Sequence, residues 1–334
     1  MRIRFISDLH CYLNMDTAPT EFIDIMKKKE PADVTLIAGD ASGCLEEMQA
    51  LLNSYFPDEK VIFVNGNHCV YFRPGKPMED LIQEYKDTFD GLWKFLENDY
   101  VWLNDNIAVI GCIGWTDFMY GHQTKAEYVK DINKEKEFRK NFKPDFIETD
   151  SDFDRLNSPA YWTPELPEDP AADYDERLMG NKKRYRDFQM RNAWRGMNDY
   201  NYGYVKYRKS MRKMIPKDTY KWHKKSMKEI KRCYNEIIAK NPNATIILMT
   251  HHPFVKQCIA NKYKDSALNS SFVSDHNKWL RQFPNIKYLH CGHVHQRFFK
   301  KIGNKELICN PMGYLWYYEN IQDIPFNINY IKEL

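Results

Sequence analysis

Two histidines, His293 and His295, stand two residues apart in the run Cys291-Gly292-His293-Val294-His295. On an extended backbone, side chains two apart point the same way. Two imidazoles on one side of a strand end can share one metal centre. Donors of matching chemistry recur earlier: Asp8 and His10, Asp40 after Gly39, Asn67 and His68 after Gly66, and His251-His252 before Pro253. Seven of these, Asp8, His10, Asp40, Asn67, His251, His293 and His295, carry oxygen or imidazole donors and none is a cysteine. Such a set suits Mn, Fe, Zn or Ni rather than calcium.

Seven donors exceed the needs of one catalytic ion, which keeps positions open, so two ions are expected, with Asp40 able to bridge them. Two divalent ions bring four positive charges. Asp8, Asp40 and a shared hydroxide remove about three, which leaves excess positive charge for an anion. Phosphate esters fit. The ions would lower the pKa of a shared water toward 7 and clamp the attacked phosphoryl group.

The elements that must position these groups follow from the apolar pattern. Met1–Ser7, Val34–Ala38, Val61–Val64, Ala244–Met249 and Ile286–Leu289 read as strands, and each runs into one of the donor groups. Helices are expected at Thr20–Lys29, capped by Thr20 and closed by Pro31, and at about Leu45–Tyr55. This β-α-β-α-β order predicts parallel pairing with right-handed crossovers. In open sheets of this kind ligands bind beyond the carboxyl ends of the strands, where all seven donors fall. Met78–Glu97 reads as a helix broken near Gly91. Tyr100–Leu103 and Ile107–Ile110 flank a turn, Tyr220–Lys240 is a basic helix, and another helix runs from Ser274 to Arg281. Arg297–Ile302 and Glu306–Cys309 form a hairpin through Gly303-Asn304. His290 is expected to pack within its strand and Trp115 in the core. His122, His223 and His276 are expected at the surface.

The chain has 334 residues, 43% hydrophobic and 28% charged, and a net charge of +3, so any contact with nucleic acid must rest on a local patch. Its eight cysteines, with no C-x-x-C spacing, suggest reduced thiols rather than a disulfide framework or a zinc finger. No leader-like or membrane-spanning run is evident, and a cytoplasmic location with no membrane contact is expected. Residues 119–216 read as an insertion. Eleven acidic residues against two basic between Pro144 and Arg177 precede eighteen basic against four acidic between Lys182 and Arg232. The basic stretch, with Tyr185, Trp194, Tyr200, Tyr202, Tyr204 and Tyr207 interleaved, could grip nucleic acid. The plainer expectation is that it pairs with the acidic stretch or coats a solvated helix. The insertion could also act as a lid.

Taken in order, D-x-H at Asp8–His10, G-D at Gly39-Asp40, G-N-H at Gly66–His68, H-H-P at His251–Pro253 and G-H-x-H at Gly292–His295 resemble the calcineurin-like metallophosphoesterase superfamily. The motifs cover roughly 1–118 and 236–320. Gly114–Phe118, Asn198-Asp199 and Asn310–Tyr314 look like a bacterial and phage branch of it. The resemblance implies an α/β fold, a four-layer αββα sandwich, here one domain over 1–334 with the insertion inside it. It places Asp8, His10 and His295 on one ion, Asn67, His251 and His293 on the other, and Asp40 between them. His68 would lie near the leaving group. His252, Asp117, Asn198 and Asp199 are candidates for contacts to substrate. Two departures stand out. Cys69 replaces the usual acidic residue after G-N-H, which bears on the protonation of His68. Met312 stands where the branch often has Arg, which removes a possible phosphate contact.

The function expected is hydrolysis of a phosphate ester, with a phosphodiesterase acting on a small or cyclic nucleotide preferred. The rivals are a nuclease using the basic insertion, a phosphomonoesterase, and a binding protein that kept the fold without turnover.

Overall fold

In the computed structural model the chain builds two facing β-sheets with helices on their outer sides. Residues 1–71, 76–122, 125–126, 128–130, 133, 136, 175–207, 210–260, 263–264 and 266–334 are described. The acidic stretch of residues 144–177 lies almost entirely outside them.

The first sheet contains β1 (Arg2–Ile6), β2 (Val34–Ala38), β3 (Lys60–Val64), β4 (Trp93–Phe95) and β13 (Ile331–Glu333), in the order β13-β1-β2-β3-β4. β1 to β4 are parallel and β13 runs antiparallel to β1. The second contains β5 (Asp99–Asn104), β6 (Ile107–Cys112), β9 (Thr245–Thr250), β10 (Ile286–Cys291), β11 (Phe298–Ile302) and β12 (Lys305–Cys309), in the order β11-β12-β10-β9-β6-β5. Its four middle strands are parallel and both edge strands antiparallel.

Strand periodicity makes the layers. Alternate residues of one strand face opposite sides. Phe5, Leu36 and Ile62 meet Val109, Ile247 and Met249 between the sheets. Ile6, Ile37 and Phe63 face outward to Phe22, Met48 and Leu52 of the first helical layer. Ile110, Ile246 and Leu248 face outward to Ile230, Cys233 and Ile237 of the second. Continuous apolar strands are therefore needed, because both faces are covered. His290, within β10, is buried where the sheets meet. Its Nε2 lies 3.0 Å from the Ile6 carbonyl oxygen and its Nδ1 lies 3.3 Å from that of Ile308.

The helices are α1 (Cys11–Thr17), α2 (Pro19–Lys27), α3 (Leu45–Tyr55), α4 (Met78–Thr88), α5 (Glu176–Met179), α6 (Lys182–Gly196), α7 (Asp199–Tyr202), α8 (Pro216–Lys240), α9 (Asn269–Phe272) and α10 (Asn277–Leu280). α2 starts at Pro19 with Ala18 as its cap, not at Thr20. The helix expected to reach Glu97 stops at Thr88, and Trp93–Phe95 adds an edge strand by pairing with β3. The expected Ser274–Arg281 helix shortens to α10. In the central segment, α6, α7 and the hairpin β7 (Tyr204–Tyr207) with β8 (Ser210–Lys213) pack Ala193, Met197, Tyr200 and Val205 against Met78, Ile113 and Trp115. α8 starts at Pro216, where the Asp218 carboxylate accepts from the Ile215 amide. Its lysines at 217, 221, 224, 225, 228 and 231 are exposed. All eight cysteines are free thiols, and no helix among the described residues is long and apolar enough to cross a membrane.

Candidate metal centre

The donor-bearing loops leave the carboxyl ends of β1, β2, β3, β9 and β10 along one edge of the sandwich. Five of these residues take left-handed backbone angles: Asp8 (φ 51°), His10 (41°), Asp40 (48°), His293 (69°) and His295 (45°). Non-glycine residues rarely do so, and each such angle costs on the order of 1–3 kcal/mol. Backbone bonds hold them there. The Asp8 amide donates to the Gly39 carbonyl (3.0 Å), His10 to Asp40 (2.9 Å) and Gly313 to Asp8 (2.9 Å). Gly292 is required by close approach, since a Cβ there would sit 2.5 Å from Asp8 Oδ2.

The side chains converge into two adjoining clusters. In the first, His10 Nε2 and His295 Nε2 are 2.9 Å apart, and His295 Nε2 is 3.4 Å from Asp8 Oδ1. In the second, His251 Nε2 lies 3.2 Å from Asp40 Oδ2 and 3.0 Å from Asn67 Oδ1, with His293 beside it. Asp40 also groups with His10 and His68, so it stands between the two clusters. His293 and His295 thus face different clusters. The left-handed angles after Cys291 separate them, so they do not share one centre as an extended backbone would allow, and they divide between the clusters in the way the family resemblance implies.

Several observations fit this donor set to cations. His251 Nδ1 donates to the Ala38 carbonyl (3.0 Å), so a neutral ring presents a lone pair at Nε2. That lone pair faces the oxygens of Asn67 and Asp40, and three acceptors pointing at one place call for a positive charge. Without an ion the charge must come from a proton. Burial opposes it, but Asp40 prevails and pushes His251 up to about 9. Burial likewise disfavours the Asp40 carboxylate, yet the surrounding histidines, His251 first, hold it well below the usual range. Asp8 Oδ2 and His293 Nε2 are buried and have no hydrogen-bond partner. Such orphaned atoms are costly unless something binds them.

Asn67 is oriented from the central segment. Its Nδ2 donates to Asp199 Oδ1 (2.9 Å) and to the Tyr71 hydroxyl (2.9 Å), which turns Oδ1 toward His251. Tyr71 also donates to Asp199 (2.6 Å). Asp199 is 2% exposed, so it supports Asn67 from behind rather than presenting itself to substrate. Burial pushes its carboxyl up to about 6 against the pull of those two bonds. Asn198 is exposed at the start of α7, and its neighbour is the one that reaches the cluster. His252 is 1% exposed and packs between Trp115 and His293, with ring centroids at 4.9 and 4.1 Å, so it backs His293 and offers substrate no surface here. Asp117 sits elsewhere, with His223 and His276. His223 is 2% exposed, which overturns its expected surface position.

His68 is gripped from both sides. The Tyr12 hydroxyl contacts its Nδ1, the Tyr314 hydroxyl lies 3.3 Å from its Nε2, and Asp40 Oδ2 is 4.0 Å from that same nitrogen. Burial and then Asp40 push the Tyr12 phenol far up, so it stays protonated and donates. The His68 proton then resides on Nε2. Burial lowers the His68 pKa. Tyr12 and Tyr71 are therefore site residues with no motif signal of their own, except that Tyr12 sits two residues after His10. Cys69 is buried and its thiol pushed up by burial, while tyrosines perform the orienting expected of an acid. Met312 is 1% exposed and lies in the first helical core, so that position faces away from any phosphate.

Aromatic rings continue outward. Tyr314 packs on His10 and on His295 at 4.7 Å each, Trp316 stacks on Tyr314 at 4.6 Å, and Tyr317 is 71% exposed. On the His68 side Tyr71 meets the exposed Tyr202 at 5.5 Å.

The fold is similar to phosphopantetheinyl hydrolase from Mycobacterium tuberculosis, with a TM-score of 0.56 and 15% identity over 99% of this chain and 95% of that one. A putative 5'-nucleotidase from Staphylococcus aureus gives a TM-score of 0.40 and 12% identity over 93% of this chain and 48% of that one. No curated protein shows a significant sequence match. The family model described as calcineurin-like phosphoesterase matches residues 1–297, and the chain belongs to that family of metal-dependent phosphoric ester hydrolases.

Proposed function

We propose that the chain is a phosphodiesterase acting on a small nucleotide or cyclic nucleotide. Asp8, His10 and His295 would hold one divalent ion, Asn67, His251 and His293 a second, and Asp40 would bridge them. Bound there, the ions would supply an activated water and neutralise charge on the phosphoryl group. The observation that carries the reading is the convergence of acceptor atoms from Asp40, Asn67 and His251 on one point.

The chain's own residues supply the rest. Tyr12 keeps the His68 proton on Nε2, from which it can pass to the departing oxygen. Asp199 fixes the Asn67 amide. The Tyr314–Trp316 stack, with Tyr317 tilted against it, offers an apolar rim beside the clusters, suited to a base or another ring. This rim favours a base-bearing ester over a plain one. The exposed lysines of α8 remain the feature a nuclease would use.

The test is a panel run with manganese: bis(p-nitrophenyl) phosphate, its monoester, 2',3'- and 3',5'-cyclic nucleotides, a dinucleotide, single-stranded RNA and DNA, and a phosphopantetheinyl protein. Turnover of cyclic nucleotides and the diester is expected, with Asp40→Asn and His251→Ala each losing at least about 100-fold. Monoester-only turnover sinks the diesterase assignment. Strongly salt-dependent cleavage of long RNA or DNA would move it to a nuclease.

A further inference from the structure

A second histidine pair meets in the same way as the pair in the first cluster. His223 of α8 and His276, just before α10, bring their Nε2 atoms to 2.9 Å, the same separation as His10 and His295. Asp117 completes a group whose donor atoms all lie within 4.8 Å of one another. The three residues come from three separate chain segments.

We propose that Asp117, His223 and His276 form a third site that binds a single divalent transition-metal ion, independent of the two clusters at the strand ends. Two imidazoles and a carboxylate suit zinc, iron, manganese or nickel. Donor atoms bonded to one such ion at about 2.0–2.2 Å lie roughly 3–3.5 Å apart, so the nitrogen pair is nearly in place and a small swing of the half-buried Asp117 completes it. The supporting bonds are those a metal-bound histidine uses. His223 Nδ1 donates to the Gly114 carbonyl (2.9 Å), with the Trp115 carbonyl at 3.2 Å, and so leaves the Nε2 lone pair facing His276. Asp117 Oδ1 accepts from the Met119 amide (2.9 Å), while Oδ2 remains for an ion. The Asp117 amide donates to Ser274 Oγ (3.1 Å), and Arg186 of α6 donates to the Asp117 carbonyl (3.0 Å). Burial, and next the facing His276, lower the His223 pKa, so this ring carries a free lone pair at neutral pH.

The location indicates a structural role. An ion here would pin α8, the loop carrying Trp115 and the segment before α10 to one another, and through Arg186 would hold α6. His252, which backs His293, packs on the same Trp115. Asp117 and His276 are only half-buried, so water can reach the ion.

The full chain, stripped by chelator and reloaded with zinc or cobalt, tests this by elemental count and by the visible spectrum of cobalt. Wild type should bind three equivalents and His276→Ala two. His10→Ala/His251→Ala should keep one equivalent, with a cobalt spectrum that disappears when His276→Ala is added. In chelator, wild type and His276→Ala should melt together, and zinc should raise the wild type further. If His276→Ala melts lower even in chelator, Asp117→Asn, which keeps the Met119 bond, replaces it and should weaken the third equivalent at least 10-fold. Equal counts in wild type and variant, or no ion retained by the His10/His251 double variant, would mean that His223 and His276 share only a hydrogen bond, and the third site is then wrong.

Discussion

Asn67 and Asp199 are 132 positions apart in the chain, yet the Asn67 amide donates to the Asp199 carboxylate at 2.9 Å and its orientation is set by that bond. An Asn side chain can turn over at little cost, and only its oxygen can serve a cation. Asp199→Ala should therefore weaken metal at the second cluster about 10–100-fold while leaving the first cluster's affinity near wild type. Competition against a graded chelator series measures both. Activity at saturating manganese should largely recover. A loss of kcat that excess metal does not restore would mean that Asp199 acts some other way.

His68 predicts a dependence on the leaving group. A proton delivered from Nε2 matters most when the departing oxygen is basic. His68→Ala should cost about 10²–10⁴-fold with an alkyl or ribose leaving group and far less with p-nitrophenolate. Tyr12→Phe should show the same pattern in weaker form, because the ring then loses the bond that fixes its tautomer. Equal losses across leaving groups would remove His68 from the acid role.

The exposed ring of Trp316 predicts selectivity. Stacking on a base contributes about 1–3 kcal/mol, so Trp316→Ala should raise KM for a nucleotide about 5–150-fold. A glycerol-derived diester without a ring should be unaffected. Parallel losses on both substrates would assign Trp316 to packing alone.

Glu97 predicts a stability slope away from the site. It is buried, its Oε2 accepts from the Ile113 amide at 2.8 Å, and burial pushes it up to about 7 from an unfolded value near 4.5. The folded protein then binds more protons than the unfolded chain between those values, so stability falls as pH rises through them. The full effect is on the order of 3 kcal/mol, from about 1.4 kcal/mol per pKa unit. The destabilisation caused by Glu97→Gln should thus be smaller at pH 7.5 than at pH 5 in urea melts. A pH-independent difference would show that Glu97 ionises normally.

Much of this is legible in the residues alone. Parallel strands deliver their carboxyl ends to one edge, so a donor after each apolar run implies a shared centre. The seven donors did gather there. What strand geometry could not give is the partition of His293 from His295, because it arises from left-handed angles beyond the last paired residue, Cys291. Helix α1 was missed because its N-cap is His10, a donor with φ 41° and no capping side-chain bond. Tyr12 and Tyr71 are not legible as site residues either, and Asp199 is legible only as a candidate for substrate contact rather than as the partner of Asn67, since these partners are selected by tertiary packing. His223 and His276 carry no local pattern at all. They are 53 positions apart and meet only because α8 crosses the segment before α10.

Each strand-end cluster draws on both sheets. Asp8 and His10 come from the first and His295 from the second. Asp40 and Asn67 likewise come from the first, His251 and His293 from the second. Any ion seated at either point is also a rivet across the seam between the two halves of the sandwich. Stripping it would loosen the whole body, not the reaction alone, so resistance to heat and to proteases should rise and fall with metal supply.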